Sequence, residues 1–94
     1  MDKNTLRLKV GSRIRAWRES EGLTLHMLAD MVGTSYTHIW KIENGKVSVG
    51  LDLLGRISDA LDVPLRELVD PAPERTSAYG ADITIERPRN EKQR

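Results

Sequence analysis

Between Val32 and Lys46 the chain reads VGTSYTHIWKIENGK. At about 100° per residue, a helix begun at Ser35 sets Ile39 and Ile42 on the same side as Ser35. Thr37, Trp40, Lys41 and Asn44 fall on the opposite side, with Tyr36 and Glu43 on one flank and His38 on the other. A short helix with an apolar underside normally shows solvated charge on top. This one shows aromatic surface, a hydroxyl, an amide and a single cation. Those are the donors and contact surfaces that read base edges in a major groove.

Other chemistries fit poorly. His26 and His38 are the only histidines, and there is no cysteine. Two helical histidines so far apart make a poor metal site, and no carboxylate pair is framed by a pocket-forming architecture. The Gly45-Lys46 pair lacks the preceding glycine and following Ser or Thr of a phosphate loop. No enzyme activity, metal or cofactor is expected.

The reading helix needs elements to position it. Upstream, Thr24 to Met31 is a second short helix, with Leu25, Leu28 and Val32 spaced i, i+3, i+7. Gly33 permits a positive φ in the turn between the two, and Thr34 and Ser35 supply hydroxyls that can cap the next helix. Ala29 is small enough for a close crossing, while Ile39 and Ile42 lock the second helix onto the first. That is a helix-turn-helix.

Around this pair, 94 residues with 38% apolar content and no Phe predict one small domain, its core aliphatic plus Trp17. Residues 5–21 form a first helix, with Leu6, Val10, Ile14 and Trp17 as its stripe, Thr5 as a cap and Gly22 as a stop. Leu51 to Leu61 carries Leu51, Leu54, Ile57, Ser58 and Leu61 on one face. Pro64 then suits the start of a last helix, Leu65 to Val69, with Leu65, Leu68 and Val69 apolar. This gives an all-α, compact five-helix domain over residues 1–70. Its net charge of +1 hides an asymmetry. Residues 1–22 hold six basic side chains against three acids, and residues 51–70 two against five. The acidic end should face away from phosphate.

Residues 71–94 differ in kind, with Pro71, Pro73, Pro88 and nine charged residues. They read as a flexible C-terminal tail, or one in which Ala81 to Glu86, alternating apolar and polar, forms a strand with a partner such as a second chain. With no apolar run long enough for a signal peptide or membrane span, and no cysteine, a cytoplasmic protein is expected.

The phrases Gly11-Ser12-Arg13-Ile14-Arg15, Arg18-Glu19-Ser20-Glu21-Gly22-Leu23-Thr24, Leu28-Ala29, Val32-Gly33, Ile39 to Lys46 and Ala60 to Leu65 together resemble the Cro/repressor-type (XRE) helix-turn-helix family. The likeness runs from about Val10 to Val69, and is strongest to small stand-alone members. It implies a lambda-repressor-like DNA-binding domain, often dimeric, in transcription control. It further implies base reading by Tyr36, Thr37, Trp40 and Lys41, and phosphate contacts by Thr24, Asn44 and Lys46. Arg18 and Glu43 match a buried ion pair tying the first helix to the reading helix. One departure stands out: Leu25 replaces the Gln that in similar domains grips a phosphate.

The expectation is therefore a homodimeric, sequence-specific regulator on double-stranded DNA with a palindromic operator. Leu53 and Leu65, off the buried stripe, are the expected dimer contacts. The alternative is an antitoxin or protein-interaction module of the same fold, using its tail to bind a protein partner.

Overall fold

A computed structural model of the chain describes residues 2–69. The tail at 71–94, its suggested strand around 81–86 and any partner it would bind lie outside these residues. The order is α1 (Lys3–Ser20), α2 (Leu25–Val32), α3 (Tyr36–Glu43), α4 (Leu51–Leu61) and α5 (Arg66–Val69).

Three of the starts are fixed by side-chain caps. The Asp2 carboxylate accepts the Thr5 N–H at 2.8 Å, so α1 begins two residues before the expected Thr5. That hydrogen bond also holds the Asp2 carboxyl below its ordinary pKa. Thr24 accepts the Met27 N–H at 3.0 Å to start α2, and Ser35 accepts the His38 N–H at 3.1 Å to start α3. Between the last two, Gly33 ends α2 in the left-handed region (φ 76°, ψ 36°), donating its N–H to the Ala29 carbonyl.

The core is built from Val10 and Ile14 of α1, Leu28, Ala29 and Val32 of α2, and Ile39 and Ile42 of α3. Leu54, Ile57 and Leu61 of α4, with Leu68 of α5, complete it. The Ser58 hydroxyl is buried beside them because it donates to the Gly55 carbonyl at 2.9 Å.

Four expectations at the edges of the stripes need correction. On α1 the buried line runs Val10, Ile14, Arg18 at four-residue steps, while Trp17 packs only at the margin of the core. Leu6, a turn earlier, sits exposed at the rim of a groove of about 290 Å³ between α1, the loop after α3 and Val69. Leu51 stays 75% exposed because the first turn of α4 projects past the core. Finally, α5 starts at Arg66 and is one turn long, so it places a single side chain, Leu68, inside. Leu65 and Val69 remain exposed.

Polar ties close the shell. Arg56 of α4 donates to the Val32 carbonyl at 3.0 Å, satisfying an end of α2. Arg13 of α1 donates to the Glu67 carbonyl at 3.3 Å and lies 3.9 Å from its carboxylate, holding α5.

Candidate nucleic-acid interface

The α3 helix divides by face, and the flank that Tyr36 and Glu43 share by spacing splits, Glu43 turning inward and Tyr36 outward. Ile39, Ile42 and Glu43 are buried, while Tyr36, Thr37, Trp40 and Lys41 are all exposed. Tyr36 and Trp40 each keep 41% of their surface in solvent, which is a large apolar exposure on so short a helix.

The inner face is fixed by more than apolar packing. Arg18 Nε donates to Glu43 Oε2 at 2.7 Å and Arg18 Nη2 to Glu43 Oε1 at 3.0 Å, a two-point grip. Their side chains are 10% and 2% exposed. The third nitrogen, Nη1, donates to the Leu23 carbonyl at 2.7 Å, so one guanidinium links α1, the approach to α2 and the end of α3. The hydrogen bonds that Arg18 donates to Glu43 raise its pKa further, against the opposing effect of burial. Beside this pair, α1 and α3 approach closely at Gly11. A methyl group there would run into the backbone carbonyls of Ile42 and Glu43. Sequence reasoning gave Gly11 no role.

The residues matched to phosphate contacts begin α2 or follow α3. Thr24 uses its oxygen as the cap of α2, which leaves its O–H free to donate outward. Asn44 is half-buried; its Nδ2 donates to the Trp40 carbonyl at 2.9 Å, with a second N–H to spare. Lys46 is exposed and its backbone N–H donates to the Lys41 carbonyl at 2.9 Å, closing the turn. The start of α1 supports that turn: Leu8 lies against Gly45, and Arg7 Nε donates to Ser48 Oγ at 3.2 Å.

Among the described residues, Lys3, Lys9, Lys41 and Lys46 are in no ion pair. Arg13 and Arg15, in contrast, are engaged by Glu67 and Glu19. Of the residues expected between copies, Leu65 is 40% exposed, while Leu53 is half-buried against the core. No group of three or more metal-ligating side chains occurs among the described residues. No helix there is long and apolar enough to cross a membrane. One contact was not legible beforehand: the rings of His26 and Tyr36 stack, with centroids 4.3 Å apart.

Two short helices crossing at a left-handed glycine, the second with a fixed underside and a free polar-aromatic top, define the helix-turn-helix class. Residues 14–68 match the helix-turn-helix family HTH_3, and the chain belongs to that XRE-type family. An uncharacterized HTH-type transcriptional regulator of Sinorhizobium medicae is 36% identical over 70 residues, which is 74% of this chain and 50% of that protein. The similar regulator y4aM of Sinorhizobium fredii is 31% identical over 77 residues, 82% of this chain and 54% of that one. The chain thus spans about half the length of these relatives. Among solved structures, the restriction-modification controller protein C.AhdI of Aeromonas hydrophila superposes with a TM-score of 0.64 at 32% identity. That match covers 66% of this chain and 94% of C.AhdI. The clp gene regulator ClgR of Corynebacterium glutamicum gives 0.69 at 25% identity, over 80% of each chain.

Proposed function

We propose that this domain is a sequence-specific double-stranded DNA-binding regulator of transcription, reading its site through the outer face of α3. The observation that carries the reading is the exposure of Thr37, Trp40 and Lys41 on a helix whose opposite face is locked by Ile39, Ile42 and Glu43. A rigid helix can hold base-reading groups in register; a loose one cannot. Lys41 donates to guanine O6 and N7, Thr37 bonds a base edge or touches a thymine methyl, and the Trp40 ring adds apolar surface. Tyr36 extends this set at the first turn. Thr24, Asn44 and Lys46 supply phosphate contacts, which set register without reading sequence. The relatives' names as HTH-type transcriptional regulators support regulation as the role.

The domain works as a homodimer. Leu65 and Val69 leave apolar surface exposed beside the one-turn α5, and Leu65 is the contact this proposal rests on most. Two-fold symmetry then places recognition helices about 34 Å apart, one turn of duplex, on a palindromic operator. Occupying a promoter element represses; touching polymerase from an adjacent site activates.

Selection of bound duplexes from a random pool tests the reading. An inverted repeat with half-sites one turn apart is expected, and bound duplexes sharing no motif would sink it. Sedimentation equilibrium at micromolar protein tests the dimer separately, with monomer alone, with and without DNA, as the contrary result.

A further inference from the structure

His26 lies in the first turn of α2 and Tyr36 opens α3. Their rings stack nearly parallel, centroids 4.3 Å apart and planes 17° from one another. The other contacts holding α3 act on its inner face or its backbone: Ile39 and Ile42, the Ser35 cap and the Arg18–Glu43 pair. The stack is different, because it is made by a side chain of the reading surface itself.

We propose that His26 is a positioning residue for base reading: it covers one face of the Tyr36 ring and so fixes the direction in which the ring's free edge and hydroxyl meet the DNA. The proposal rests on the DNA-reading role given above and names a residue that role does not include.

The physical case starts from exposure. An unpartnered tyrosine at the surface of a first helical turn samples more than one χ1 well. A near-parallel aromatic partner favours the well in which the rings overlap. A side chain already held in its bound orientation loses less rotamer freedom when it meets its target, so contact there becomes both tighter and more selective. Tyr36 has something to present, since its hydroxyl both donates and accepts. The stack also spans the turn at Gly33, tying the first turn of α2 to the first turn of α3. Both residues are exposed. Losing the stack therefore leaves the core intact, and its effect falls on recognition.

The test uses the full chain, the duplex that the wild type selects from a random pool, and variants of that duplex changed one base pair at a time. His26→Ala should lower discrimination at a single base pair per half-site by about 3- to 10-fold, the range expected for one aromatic pair. Affinity for scrambled duplex and the melting temperature should stay at wild-type values. His26→Phe, which keeps a ring but removes the imidazole nitrogens and any charge, should restore discrimination. In a Tyr36→Ala background, His26→Ala should change nothing further. Proton NMR of the DNA-free protein gives an independent reading: the Tyr36 ring resonances should move in His26→Ala and return in His26→Phe. Equal loss on selected and scrambled duplex, unrestored by Phe, would make His26 a phosphate contact and overturn the proposal. So would an effect that survives in the Tyr36→Ala background, or NMR shifts with discrimination unchanged. A wild type that selects no sequence would instead overturn DNA reading itself, and this role with it.

Discussion

The two faces of α3 are held by different physics. The inner face is dry: Ile39 and Ile42 are sealed in the core, Glu43 is gripped by Arg18, and the backbone beside them presses on Gly11. The outer face carries Thr37, Trp40 and Lys41 in solvent, with no salt bridge at Lys41 among the described residues. What fixes the helix in place is thus spatially separate from what it presents. Substitutions on the inner face should unfold the domain, and substitutions on the outer face should leave stability alone and change DNA binding.

The largest effect is expected at the buried charge. Glu43→Gln keeps the shape but leaves the enclosed Arg18 guanidinium with only the exposed Glu19 carboxylate, 3.9 Å away, as counter-charge. Both side chains are nearly covered, so the loss should be about 3–5 kcal/mol in urea denaturation. Replacing both partners with apolar residues, Arg18→Met with Glu43→Leu, should recover much of that, because no unpaired charge then remains. A Glu43→Gln variant within about 1 kcal/mol of wild type would mean that solvent reaches the pair, and the inner face would lose its distinction.

Next comes Gly11→Ala. Alanine is normally the better helix former by nearly 1 kcal/mol, so an unconstrained site would gain stability. Here the added carbon meets the carbonyls of Ile42 and Glu43, which are backbone and cannot rotate away. α1 must shift off α3, at a cost toward the upper end of the roughly 1–3 kcal/mol of an overpacked core. Stabilisation by this substitution, read by the same denaturation, would show that the two helices do not meet as described.

These two sites also show why some of the structure could be read in advance and some could not. The outer face of α3 follows from period alone, because Ile39 and Ile42 orient the remaining residues on an eight-residue helix. Only the family likeness places Arg18 inward; periodicity favours Trp17, since a guanidinium reads as solvated until its partner is known. Gly11 stands next to Val10 on the inward side, a placement that hints at a close crossing without saying what crosses. The stripes of α1 and α4 give direction but not extent: they carry Leu6 and Leu51, while the core stops a turn short of each. The His26–Tyr36 stack depends on the angle between α2 and α3, which no spacing along one helix encodes.

On the outer face, Lys41→Ala should leave the melting temperature unchanged, the reverse of the inner-face variants. It should relax preference at one base pair per half-site and cost about 1–3 kcal/mol on the selected duplex, with much less on scrambled DNA. Titration on both duplexes measures this. An equal loss on the two would make Lys41 a phosphate contact and confine base reading to Thr37, Trp40 and Tyr36.

The smallest effect belongs to Lys46, which completes the comparison from outside the helix. Its backbone closes the turn after α3 and its side chain is exposed there, beyond the helix, so on the proposed reading it contacts a phosphate and not a base edge. A phosphate contact releases counterions whatever the sequence beneath it. Lys46→Ala should therefore weaken selected and scrambled duplex by the same factor and shallow the log–log salt dependence by about 0.9 for each phosphate it no longer neutralises. Titrations at three salt concentrations separate the slope from the intercept. The hydrogen bond from the Lys46 N–H to the Lys41 carbonyl survives the substitution, so the turn persists and stability should not move. If Lys46→Ala instead alters preference among base pairs while the salt slope holds, the loop takes part in reading, and discrimination is no longer confined to the outer face of α3.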